Sequence, residues 1–215
     1  MRVKICCIQS IEEAQVAATA GADLLGLVGA MPSGPGPIDD DRIAAITRWA
    51  PPGIGTVLLS SETSAEGLVA HAARCAPTAL QIVDWPDRDA WAALSTAHPA
   101  LKLMQVIHVE GPGAVDQARR AGAHVDAILL DSGRPSAKVK ELGGTGRAHD
   151  WSVSADVVEA VAVPVFLAGG LNPENAAEAA RVVRPYGLDI CSGVRTGDRL
   201  DPAKTSAFIA AARRA

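Results

Sequence analysis

Pro164–Val183 reads PVFLAGGLNPENAAEAARVV. A short apolar run, PVFLAG, closes on the pair Gly169-Gly170, and Asn172-Pro173-Glu174 then sets a capping side chain before a proline suited to a first helical turn. Alanines and valines at helical spacing carry the stretch on to Val183. It reads as one strand, one tight turn and one capped helix, the unit from which parallel sheets with outer helices are built.

The same alternation runs outward to both ends. Strands are expected at Val3–Ile8, Asp23–Gly29, Ile54–Ser60, Ala79–Val83, Leu101–Ile107, Val125–Asp131, Pro164–Gly169 and Leu188–Gly193. Helices are expected at Ile11–Ala20, Asp39–Trp49, Thr63–Cys75, Asp87–Ala97, Pro112–Ala121, Ser152–Val161, Pro173–Val183 and Pro202–Ala212. Eight such units predict a single (β/α)8 TIM barrel over residues 1–215, with no linker or shift of composition to divide it. A doubly wound sheet is the runner-up. It would use fewer units and a GxGxxG turn after the first strand, where this chain has CCIQS.

Composition agrees with a barrel and narrows the function. Of 215 residues 48% are hydrophobic and only 3% aromatic, as suits buried parallel strands and alanine-lined helices. A net charge of -4, with Lys and Arg scattered, offers no stripe for nucleic acid. No apolar run has the roughly 18 residues of a membrane span, and MRVKICCIQS lacks a signal-peptide core, so a cytoplasmic protein is expected. The four cysteines, Cys6, Cys7, Cys75 and Cys191, show neither a disulfide framework nor a zinc spacing, and are expected as reduced thiols. No HxH or HExxH spacing occurs among the five histidines, so no metal is expected; His149 lies in the loop before Trp151, and the other four read as surface or packing residues.

Barrel chemistry sits where strands end at their C-terminal side. Three places there carry polar or glycine residues. The turns Gly169-Gly170 and Ser192-Gly193 follow the last two strands, where barrels commonly hold a phosphate on backbone N–H groups; glycine as an ordinary turn former is the bland alternative for either turn alone. Asp131 ends AILLD and precedes nearly twenty residues without clear periodicity, LGGTGRAHDW among them. A loop that long in a compact domain is usually functional. It reads as a lid, hinged at Gly143, Gly144 and Gly146, with Lys138, Lys140 and Arg147 able to approach an anion. Strand alternation puts Arg2, Lys4 and Cys6 on one face and Val3, Ile5 and Cys7 on the other, which aims Cys6 at the barrel mouth, as a base or as a buried structural thiol. An ordinary thiol is only a few per cent thiolate at neutral pH, and Lys4 is the cation placed to change that. An acid and a thiolate over an anchored phosphate suit a proton-transfer isomerisation.

In order along the chain, VKIC, LLD, GGTGRAHDW, LAGGLNPENAAEA and LDICSGV resemble the phosphoribosylanthranilate isomerase family of tryptophan biosynthesis. The resemblance implies a (β/α)8 barrel that performs an Amadori rearrangement without cofactor. It further implies Cys6 as general base, Asp131 as general acid, and a phosphate resting on Gly169, Gly170, Ser192 and Gly193. The partner is a small phosphorylated sugar, with neither nucleic acid nor membrane involved, and the chain is expected as a monomer or homodimer.

The departures are local. Cys7 stands where the family has glycine, Gly36 where it has a basic residue after the second strand, Val83 where it has histidine, and Arg195 where it has an acid. Arg195 is therefore the candidate for a relocated carboxylate site. The alternatives are a paralogous barrel enzyme acting on a different phosphorylated sugar and a non-catalytic phosphate-ligand binding barrel, against which the retention of both Cys6 and Asp131 argues.

Overall fold

The computed structural model describes residues 1–32, 34–133 and 150–214. Its strands are β1 (Arg2–Ile5), β2 (Leu24–Val28), β3 (Gly55–Ser60), β4 (Ala79–Ile82), β5 (Lys102–His108), β6 (Ala127–Asp131), β7 (Val165–Leu167) and β8 (Gly187–Ile190). Every neighbouring pair is parallel, and β8 returns to β1 to close the barrel. The helices are α1 (Ile11–Ala20), α2 (Asp40–Trp49), α3 (Ala65–Cys75), α4 (Ala90–Ala97), α5 (Ala114–Gly122), α6 (Trp151–Ala160), α7 (Ala176–Val183) and α8 (Pro202–Arg214). After β8 come a 3-10 turn, Ser192–Val194, and the small ribbon β9 (Arg195–Thr196) and β10 (Arg199–Leu200). Among the described residues, no helix is long and apolar enough to cross a membrane.

Strand alternation sorts the apolar residues into two layers. Val3, Ile5, Leu25, Leu27, Ile107, Ile128, Leu130, Leu188 and Ile190 pack outward on the helices, whose alanines (Ala14, Ala17, Ala118, Ala121, Ala179) let them lie close. Val57, Met104, Val106, Ala127, Leu129 and Phe166 fill the interior.

Helices α4, α5 and α7 begin two or three residues later than their patterns predict, as α3 does by two and α2 by one. The turns before α4 and α5 are closed by i to i+3 bonds, Ala90 N–H to Asp87 and Ala114 N–H to Gly111, so they are hydrogen-bonded turns rather than α-helix. Before α7 the Asn172 carboxamide accepts from the N–H groups of Glu174 and Asn175, and Asn175 in turn accepts from Asn172 N–H. Asn172 caps as expected, but it caps a turn that precedes the helix.

The expectation of reduced thiols is corrected for two of the four. Cys7 and Cys191 form a disulfide with their Cα atoms 5.7 Å apart, while Cys6 and Cys75 are free and buried. Cys7 also leaves the outward face assigned to it. Its φ of +61° is left-handed, which turns the chain so that it joins Cys6 in the interior cluster.

Candidate active site

The interior alternation continues into the mouth. Met104 and Val106 lead in phase to His108, and Ala127 and Leu129 lead to Asp131. His108 and Asp131 are opposite one another in the β5–β6 register. On the other side of the barrel Lys4 is paired in register with Asp189, and Cys6 follows β1 with its N–H on the carbonyl of Ile190 at 2.7 Å. Lys4 is fully buried, and its Nζ donates to Asp189 Oδ1 at 2.9 Å. Gly26 of β2 makes the room: a Cβ there would stand 2.7 Å from Cys6 Sγ and 3.1 Å from Lys4 Nζ. Thiol and ammonium thus face one small space.

This setting shifts each group. Burial pushes the Cys6 thiol up to about 11, against the pull of the Lys4 charge, with Asp189 adding to the rise. Burial lowers the Lys4 ammonium, but Asp189 and Cys6 outweigh it and hold the group above its ordinary value. Burial also raises the Asp131 carboxyl, opposed by the Ser132 N–H at 2.7 Å and by His108. Burial thus raises both the carboxyl that could donate a proton and the thiol that could accept one.

The turns after β7 and β8 adjoin. Gly169 and Gly170 both have positive φ, 86° and 67°, so a side chain at either would be strained, and the Asn175 carboxamide pins the Gly170 carbonyl at 3.0 Å. Gly193 lies directly against the Leu171 carbonyl, leaving no room for a Cβ. Ser192 and Gly193 form the 3-10 turn beside them. These four residues, Cys6 and Asp131 are thus brought to one end of the barrel.

Arg195 lies next to them, held by protein groups. Its guanidinium donates to the Cys7 carbonyl at 3.0 Å, to Glu13 Oε1 at 2.6 Å and to the Asp198 carbonyl at 2.6 Å, with a side chain only 8% exposed. The charge of Arg195, the candidate for a relocated carboxylate site, is matched by Glu13 of α1. Gly36, at φ +88°, lies flat on Cys7, and a Cβ there would come within 2.7 Å of the Cys7 Cβ. Gly143, Gly144 and Gly146, with Lys138, Lys140, Arg147 and His149, lie outside the described residues. Away from the mouth, Asp40, His71 and Cys75 bring ligand-type atoms within 4.8 Å of one another, but His71 is bonded to Ser60 and Asp40, and Asp40 to Arg74.

Sequence reasoning missed His108 and Asp189. The fifth strand had been expected to end at Ile107, one residue short, and the in-phase series Met104, Val106, His108 was the signal that could have found the histidine.

The fold and the mouth define a class: a (β/α)8 barrel that gathers a thiol, a carboxyl and two glycine-containing turns at the C-terminal ends of its strands. Residues 3–211 match the family model described as N-(5'phosphoribosyl)anthranilate (PRA) isomerase, and the chain belongs to that family. It is 35% identical to the N-(5'-phosphoribosyl)anthranilate isomerase of Methanocella arvoryzae, over 92% of this chain and 91% of that one. With isomerase 2 of Methanosarcina mazei it shares 38% identity, covering 91% and 86%. Among solved structures, the enzyme of Thermus thermophilus superposes with a TM-score of 0.83 at 27% identity, covering 100% and 99% of the two chains. At 24% identity and a TM-score of 0.79, covering 100% of both chains, an isomerase in complex with reduced 1-(o-carboxyphenylamino)-1-deoxyribulose 5-phosphate shares the fold.

Proposed function

We propose that this chain isomerises N-(5'-phosphoribosyl)anthranilate by an Amadori rearrangement, with Asp131 as general acid and Cys6 as general base. The observation that carries the assignment of roles is the placement of these two groups at the ends of β6 and β1, on the inner face, with the Lys4–Asp189 pair next to the thiol. Family membership supplies the reaction, an intramolecular oxidoreduction of aldose to ketose.

Asp131 protonates the ribose ring oxygen, whose bond to C1′ breaks as the anilinic nitrogen lone pair forms a Schiff base. Cys6, as thiolate, takes the proton from C2′, and the electrons left behind form the C1′–C2′ double bond and neutralise the nitrogen. The enol then becomes the ketone as C1′ gains a proton and the C2′ hydroxyl loses one. The phosphate rests on the backbone N–H groups of Gly169, Gly170, Ser192 and Gly193, where the three glycines allow close approach.

The test is loss of fluorescence as freshly generated phosphoribosylanthranilate is consumed. Cys6→Ala and Asp131→Asn are each expected to lower turnover by about 10²- to 10⁴-fold. Either variant turning over at the parent rate would overturn these roles. A second reading, a different phosphorylated amino sugar as substrate, is favoured by Gly36, by Val83 and by the engagement of Arg195 with Glu13. Profiling turnover over such sugars separates the two.

A further inference from the structure

We propose that His108 is a substrate-binding residue whose Nδ1 accepts a hydrogen bond from a hydroxyl of the bound sugar beside Asp131. The inference rests on the reading that the mouth binds a phosphorylated sugar and adds a contact to it.

His108 is only 9% exposed and ends β5 on the inner face, opposite Asp131 in register. Its Nε2 stands 2.9 Å from the carbonyl oxygen of Val83. A carbonyl can only accept, so Nε2 carries the proton, and in the neutral ring Nδ1 then presents a bare lone pair. That atom is buried and has no hydrogen-bond partner among the described residues. Buried polar atoms are seldom left so, because an unmade hydrogen bond is costly to hide.

A purely structural pin on Val83 explains one ring nitrogen and leaves the other unexplained. Adjacent strands lie about 4.8 Å apart, so a sugar ring oxygen that reaches Asp131 brings neighbouring hydroxyls within range of the imidazole. The strand-4 position itself carries no imidazole, being Val83; the ring comes instead from β5 and fixes its tautomer on the Val83 carbonyl.

Two substitutions divide the two nitrogens. In His108→Gln the side-chain amide overlays Nε2 and keeps the bond to Val83, but nothing accepts at the Nδ1 position. In His108→Asn the Oδ1 overlays Nδ1 as an acceptor, and the bond to Val83 is lost. The Gln variant is expected to keep the parent urea midpoint while its KM rises about tenfold, and the Asn variant to unfold earlier with KM within about threefold. Calorimetric affinity for reduced 1-(o-carboxyphenylamino)-1-deoxyribulose 5-phosphate should follow the same order. A Gln variant with parent KM and parent affinity overturns the role of His108 and leaves the proposed reaction standing. A parent protein that neither turns over substrate nor binds the analogue overturns both.

Discussion

For Cys6 and Asp131 to work as base and acid, the proton must sit on the more acidic group. The thiol is pushed up to about 11, and the Asp131 carboxyl, although raised by burial, starts from 3.8. Thiolate at neutral pH is then roughly one molecule in ten thousand. Between the two pKa values the fraction of protonated Asp131 falls as fast as that of thiolate rises, so kcat/KM should be flat, bounded by an acid limb set by Asp131 and an alkaline limb set by Cys6. The groups that tune the thiol are Lys4 and Asp189, with the Cys7 backbone N–H; Lys4, Asp189 and His108 act on Asp131. Asp189→Asn removes a negative charge and leaves the ammonium, so the alkaline limb should move to lower pH. Lys4→Met removes the cation, and the limb should move to higher pH. Limbs that fail to separate in these directions would show that the pair does not act on the thiol. At this scale the inner-face positions of Cys6, Asp131 and Lys4 were legible from strand phase, since each follows or lies within an alternating run. Asp189 was not, because only the folded barrel shows that strand 8 closes on strand 1 and sets its carboxylate on Lys4.

The elements were legible because each βα unit repeats the same exchange of apolar run, turn and alanine-rich helix; the exact helix starts were not, since an isolated turn and a first α turn share a composition. The disulfide was hidden for another reason. Cys7 and Cys191 are 184 residues apart in sequence, and pairing rules read from spacing cannot see a bond across the closure of a barrel. Its context in the fold is nonetheless specific: it ties the loop after β1 to the residue that leads into the 3-10 turn after β8. Mass analysis without reductant should show this one bond, and reduction should cost roughly 2–4 kcal/mol in urea unfolding. Cys7→Gly and Cys191→Ser both remove it, but only the first also relieves a left-handed backbone on a non-glycine residue. Cys7→Gly should therefore be the more stable of the two by about 0.5–1 kcal/mol, after allowance for the freedom glycine adds to the unfolded chain. The reverse order would mean that the left-handed conformation at Cys7 carries no cost.

A closed barrel has one seam that joins the start of the chain to its end, and here a series of polar contacts crosses it. Lys4 pairs with Asp189 inside; above them the disulfide and Arg195 link the two loops at the mouth; below, Arg213 of α8 donates to the Gly21 carbonyl at 2.6 Å. Arg195 reaches furthest, since it joins β9 to the Cys7 carbonyl and to Glu13, while Glu13 also accepts from the N–H groups of Gln9 and Leu200. The seam thus holds the Cys6-bearing loop and the turn after β8 in one register without using Cys6 or Asp131. With side chains 8% and 15% exposed, the Arg195–Glu13 pair is screened little by water, and removal of one partner leaves a charge buried alone. Arg195→Met should lower stability by about 3 kcal/mol, and Arg195→Met with Glu13→Gln should recover part of that loss because no lone charge is left. Urea unfolding of both variants measures the recovery. A single variant as stable as the parent but with a raised KM would instead make Arg195 a ligand of the substrate, restoring the role its position in CSGVR suggests.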